Sequence, residues 1–161
     1  MNELLAKISS YNLFNYLLPG VIFAVLARDV VHYPVAPQGI ITGAFLCYFL
    51  GLVLSRFGSL IVEPLLKRTS FLQFADYKDF VAASKKDDQL GLLSEANNMY
   101  RTLCSLFCLL LLLKLYMRIE ERFHTLKDWD ATVLVVLLLA MFLFSYRKQA
   151  SYITKRINAN K

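Results

Sequence analysis

The sequence predicts an all-α, polytopic membrane protein with four transmembrane helices and a short helical cytoplasmic segment. Composition is the first observation behind this: hydrophobic residues make up 57% of the 161 positions and mean hydropathy is +0.48, beyond what a soluble domain carries. The second is how they are gathered. Residues 103–113 hold one serine among Leu, Phe and Cys, and 131–144 hold one threonine and no charge. Such runs need an apolar coat all round, from lipid or from protein. The third is charge. The net charge is +6, and it is distributed unevenly about the apolar blocks.

The expected spans are 12–31, 39–61, 100–117 and 131–146, each near the 20 or so residues that cross a hydrocarbon core. They divide the chain into an N-terminal transmembrane pair (1–61), a cytoplasmic helical segment (62–99), a C-terminal pair (100–146) and a basic tail (147–161). Four crossings put both termini and the central segment on one side. Only Arg28, Lys114, Arg118, Arg122 and Lys127 fall on the other, five of the 18 basic residues. Basic residues flanking spans stay in the cytosol, so both termini and the central segment are expected there. No basic stripe interleaved with aromatics appears, so nucleic acid is not an expected partner.

The first block has only Lys7 ahead of it, offset by Glu3, and no small-residue cleavage site follows it. It reads as a retained span rather than a signal peptide. Pro19-Gly20 inside it predicts a kink or a short break. Asn12 and Asn15, beside Tyr11 and Tyr16, suit the headgroup layer better than a hydrogen bond between helices. Arg28-Asp29 reads as a local interfacial pair, and Arg56 as a marker of the cytoplasmic surface.

In the second span Gly39, Gly43, Cys47, Gly51 and Ser55 recur every four residues, and Ser59 extends the series. Helices in lipid gain nothing hydrophobic by touching, so small residues at i and i+4 promote association by letting backbones approach. The stripe serves either self-association or packing against another span of the same chain.

Between the second and third spans, Phe71, Phe74, Tyr77 and either Phe80 or Val81 recur at helical spacing and predict one amphipathic helix. Ser84-Lys85-Lys86-Asp87 resembles a capping box that starts a second. No proline intervenes before Met117, so that helix is expected to run from the cytosol into the third span, roughly 50 Å. Leu90 and Leu93, with Ala96 or Asn97, form its expected inner face, as a packed stalk or beside a ligand pocket. Phe71, Phe74, Tyr77, Phe80, Leu90 and Leu93 are the candidate partner-binding residues.

Chemical motifs are lacking. The sequence contains no P-loop, dinucleotide turn, HExxH or paired-cysteine pattern, so neither catalytic residues nor a cofactor are expected. Cys47, Cys104 and Cys108 all lie in spans and read as small packing residues rather than a disulfide or metal set. His32 and His124 have no neighbouring Cys or second His. Lys114, after five leucines, reads as a snorkelling side chain near the outer surface. Four-helix multidrug exporters share the span number, but the embedded glutamate they use in the first helix has no counterpart here.

The opening Lys7-Ile8-Ser9-Ser10-Tyr11-Asn12-Leu13-Phe14-Asn15-Tyr16-Leu17-Leu18-Pro19-Gly20, with Asn97-Asn98-Met99-Tyr100-Arg101 before the third span, resembles small four-span bacterial proteins of phage-defence loci, the membrane subunit of Kiwa-type systems in particular. That resemblance implies a homo-oligomer in the bacterial inner membrane that detects infection and works with a soluble cytosolic partner protein. It carries over no individual residue. The competing expectation is a membrane-permeabilising effector gated by a cytosolic signal, for which the spans offer few residues to line a water path.

Overall fold

The computed structural model describes residues 13–33, 39–122 and 129–159, and every regular element among them is a helix. Helix α1 covers 13–29: a widened π-type turn at Leu13–Leu17 passes directly into an α-helix at Leu18–Asp29. Helix α2 runs over Ile40–Arg68, α3 over Tyr77–Ser84, α4 over Gln89–Arg122 and α5 over Asp130–Ala159. Three of these, α2, α4 and α5, are long and apolar enough to cross a membrane. The first expected span, 12–31, overlaps α1, which is not among these three.

Pro19 and Pro64 widen turns without breaking helices. A proline lacks the N–H for its i−4 carbonyl, and its ring crowds that carbonyl. Ahead of Pro19 the turn Leu13–Leu17 opens to π geometry, and ahead of Pro64 the turn Gly58–Val62 does the same. The expected break at Pro19-Gly20 is thus a continuous helix with its irregularity one turn earlier. Pro19 and Gly20 are both buried.

Glycines bring α1 and α2 together. A Cβ added at Gly20 would fall on the Cys47 carbonyl, and one at Gly51 on the Tyr16 carbonyl. Because residue 20 meets 47 while 16 meets 51, the two helices are antiparallel. Helix α4 crosses α2 antiparallel too, with Gly58 against Arg101 and Ser105. Helix α5 runs parallel to α2, tied by Phe49 to Phe142 at 6.1 Å between ring centroids and by Lys148 to Ser59. The topology is up-down-up-down.

At one end of the bundle the core is apolar: Phe23, Ala27, Val31, Leu54, Leu106 and Leu110. The outward faces are apolar as well. Ile40 is 93% exposed and Leu111 71%, and only 6% of the most apolar stretch of α5 is covered by the rest of the chain. Water does not tolerate continuous apolar faces of that extent, whereas hydrocarbon does. Tyr116 donates a hydrogen bond to the Asp130 carboxylate at this end, and Arg28 pairs with Asp29 at 2.7 Å in an exposed position, as its local reading requires. Lys114 is exposed on the outside of the bundle.

The central segment departs from expectation in two places. Its first helix begins only at Tyr77, after Asp76 in an extended conformation, so Phe71 and Phe74 lie on the non-helical stretch before it. Of the two alternatives, Val81 is the buried one and Phe80 is exposed. Ser84 ends this helix instead of capping the next, its hydroxyl donating to the Val81 carbonyl. The turn into α4 is held by Asp87, whose carboxylate accepts the Gln89 N–H at 2.9 Å, because an Asx side chain reaches the amide two residues on. From Gln89 the helix continues unbroken for 34 residues, about 50 Å.

Candidate functional site: a polar cluster where the helices converge

Polar residues recur on one face of each long helix, and these faces meet at the end of the bundle opposite the apolar core. On α2 they are Ser55, Ser59 and Glu63, four residues apart. On α4 they are Asn98, Arg101, Thr102 and Ser105. Helix α1 adds Asn15 and Tyr16, and α5 adds Ser145, Lys148, Gln149 and Tyr152. Ser55, Ser59, Glu63, Thr102, Ser105 and Ser145 are all buried. Spacings of three, four and seven place the sets on α2, α4 and α5 each on one stripe of a 3.6-residue helix.

Glu63 organises the cluster. Its residue is 6% exposed, and its carboxylate accepts from Arg101 Nη1 at 2.8 Å and Lys67 Nζ at 2.9 Å. The Lys67 bond spans one turn of α2, while the Arg101 bond joins α2 to α4. Lys148 brings in α5, donating to the Ser59 carbonyl at 2.5 Å and to its hydroxyl at 2.8 Å. Ser105 donates to the Arg101 carbonyl and Thr102 to the Asn98 carbonyl, so these hydroxyls are satisfied within their own helix. The Nε–H of Arg101 is buried without an acceptor among the described residues.

Beside this network lies a partly open cavity of about 250 Å³, lined by Asn15, Tyr16, Ser55, Arg56, Ser59, Asn98, Arg101, Thr102, Gln149 and Tyr152. Its lining is polar throughout. Arg56 therefore lines an interior cavity, half-buried, and does not simply mark a surface. Asn15 likewise faces the interior of the bundle at 9% exposure, while Tyr16 packs edge-on against Tyr48 at 5.6 Å. Asn12, Tyr11, Lys7 and His124 lie outside the described residues.

The small-residue stripe is divided. Cys47, Gly51 and Ser55 face α1 and the cavity. A Cβ added at Gly43 would meet nothing within 4 Å outside its own helix, and Gly39 has φ of 117°, a left-handed conformation that suits glycine at the entry to α2. In self-association through residues 39–43, Gly43→Ile is expected to lower the assembled fraction in mild detergent while leaving the unfolding free energy of the single chain within about 0.5 kcal/mol of the parent. Cross-linking and light scattering check the first part, and an unchanged assembly would exclude Gly43 as a contact.

The partner-binding candidates are scattered. Phe71 is 77% exposed, and Phe74 carries the Lys67 ammonium 4.2 Å above its ring. Tyr77 packs on Tyr152 of α5 at 6.2 Å. Phe80 is exposed. Leu90 is half-buried but Leu93 is 61% exposed, so the inner face of α4 runs through Leu90, Ser94, Asn98 and Thr102 in place of Leu93 and Ala96 or Asn97. The three cysteines are free thiols, and no cluster of His, Cys, Asp or Glu suited to a metal is present among the described residues.

The sequence reading missed Glu63, Arg101, Thr102 and Lys148 as a site. Their signal was present in the spacing 55-59-63 on one helix and 98-101-102-105 on another, polar residues at helical period beside apolar spans. Compared with known proteins, the chain matches no family model, no curated protein and no solved structure.

Proposed function

We propose that the chain is an oligomeric, multi-pass protein of the bacterial inner membrane that crosses the bilayer four times. In this reading the termini and the segment between α2 and α4 face the cytosol, and the protein works as a sensor or adaptor coupling a membrane event to a soluble partner. The observation that carries the reading is the Glu63 junction. One buried carboxylate ties α2 to α4, Lys148 ties α5 to α2 beside it, and α3 rests on α5 through Tyr77 and Tyr152. Phe71 and Phe74 lie on the stretch that joins α2 to α3, so a change in the tilt of α2 against α4 and α5 moves the anchors at both of its ends. The resemblance to Kiwa-type membrane subunits supplies infection as the event. The permeabilising alternative has less in its favour, because beyond the cavity the core of Phe23, Ala27, Leu106 and Leu110 is wholly apolar and offers no polar lining for ions.

Reporter fusions after Lys85 and after the last residue should fluoresce as green fluorescent protein and stay inactive as alkaline phosphatase. A tagged parent chain in mild detergent should retain a soluble cytosolic protein, and the Phe71→Ser, Phe74→Ser double variant should lose it at equal expression. Active phosphatase at either position rejects the topology, and capture indifferent to both phenylalanines rejects the adaptor surface.

A further inference from the structure

The polar cavity carries more positive charge than its surroundings neutralise. Arg56 and Arg101 line it, Lys148 bonds to Ser59 in its wall, and Lys67 sits one turn along. Against these four cations stands Glu63, shared between Lys67 and Arg101. Among the described residues Arg56 has no ion-pair partner, and it lies close enough for its charge to act on Lys148. The buried Nε–H of Arg101 is without an acceptor. Half-buried like charges at such density call for a counter-charge, and guanidinium groups present planar donor forks that match the oxygens of a phosphate.

We propose that this cavity binds the phosphate group of an anionic ligand, with Arg56 and Arg101 holding its oxygens. The volume sets the scale. About 250 Å³ is the liquid volume of about eight waters and lies below the range that encloses a whole drug-sized ligand. It takes a phosphate head, with the remainder of the ligand outside. Two sources share that chemistry: a soluble phosphate and an anionic phospholipid. For the lipid, a mostly apolar groove of about 700 Å³ between α2 and α5 counts Leu60, Leu137 and Phe144 together with Arg147 and Lys148 in its lining and offers a path for an acyl chain.

The inference rests on the proposed topology only for where the cavity stands relative to the bilayer. Its test reads binding in detergent, so a reversed topology or a missing protein partner leaves the result intact. The full chain in dodecyl maltoside is titrated with sodium phosphate against sodium chloride at matched ionic strength, and with dioctanoyl phosphatidylglycerol against dioctanoyl phosphatidylcholine. The unfolding midpoint is followed for the parent, Arg56→Gln and the distant Lys114→Gln. A saturable rise is expected with at least one phosphate source. Arg56→Gln should weaken it about tenfold, and Lys114→Gln should leave it unchanged. A rise with inorganic phosphate identifies a soluble ligand, one confined to phosphatidylglycerol identifies a lipid headgroup, and either supports the site. The general salting effect of phosphate moves all three proteins alike. An unmoved parent midpoint, or an equal response from Arg56→Gln, overturns the proposal.

Discussion

Replacing Glu63 with alanine is expected to destabilise the chain by about 3–5 kcal/mol, a fall of about ten degrees in its unfolding midpoint in detergent. The carboxylate is nearly inaccessible, with a side chain 9% exposed, and it is bonded to two cations at 2.8 and 2.9 Å. Removing it leaves the Arg101 guanidinium, which is 20% exposed, without its anion. An uncompensated buried charge costs far more than the net worth of the pair. The same argument fixes the control. Glu63→Ala combined with Arg101→Met removes both charges, so the double variant should recover much of the loss, with a coupling of about 2 kcal/mol in the cycle. Lys67→Met should cost much less, since that lysine is 43% exposed and its removal leaves Glu63 paired with Arg101. If the stability of Glu63→Ala lies within about one kcal/mol of the parent's, the junction is hydrated and its role in holding the three helices fails.

The fold was largely legible in the sequence because apolar blocks without charges have few structural solutions. The unbroken helix from Gln89 onward followed from the absence of proline between residues 65 and 161. Local chemistry at the joints was harder to read. Ser84 and Asp87 are both competent capping residues, and only the path of the chain decides that Asp87 serves. Phe71 and Phe74 match a helical period, yet Thr69 and Ser70 end α2 just before them, Ser70 with φ of 58°, and the helix does not resume until Tyr77. The site was hidden for a different reason. Hydropathy treats Ser55, Ser59 and Thr102 as weak interruptions and Glu63, Arg101 and Lys148 as flanks, so the residues nearest the ends of the spans were assigned to surfaces. It is the antiparallel crossing of α2 and α4, set by Gly58 against Ser105, that brings those flanks inside. That crossing is a tertiary fact, and no single helix encodes it.

Gly51→Val is expected to separate α1 from α2 and to yield a chain that fails to run as a monodisperse species. A Cβ at position 51 would fall on the Tyr16 carbonyl and crowd its Cα at 2.8 Å. Both obstacles are backbone atoms, so no rotamer change relieves them and the helices must move apart. Gly20 approaches Cys47 in the same way, with the Gly51 nitrogen 3.0 Å from its own added Cβ, and the two glycines therefore share one contact. Parting the helices there opens the packing of Phe23 and Ala27 on Leu54 and displaces Asn15 and Tyr16 from the cavity wall. Dispersion between closely packed backbones is the main attraction available to helices in hydrocarbon, so its loss is not offset by a hydrophobic gain elsewhere. The effect should exceed that of Gly43→Ile, although both changes put a branched side chain into the same four-residue series, because position 43 meets nothing within 4 Å. Fluorescence-detected size exclusion of the two variants makes the comparison directly. Equal profiles for Gly51→Val and Gly43→Ile would mean that the glycine series does not hold α1 against α2, and the antiparallel pairing inferred from it would have to be abandoned.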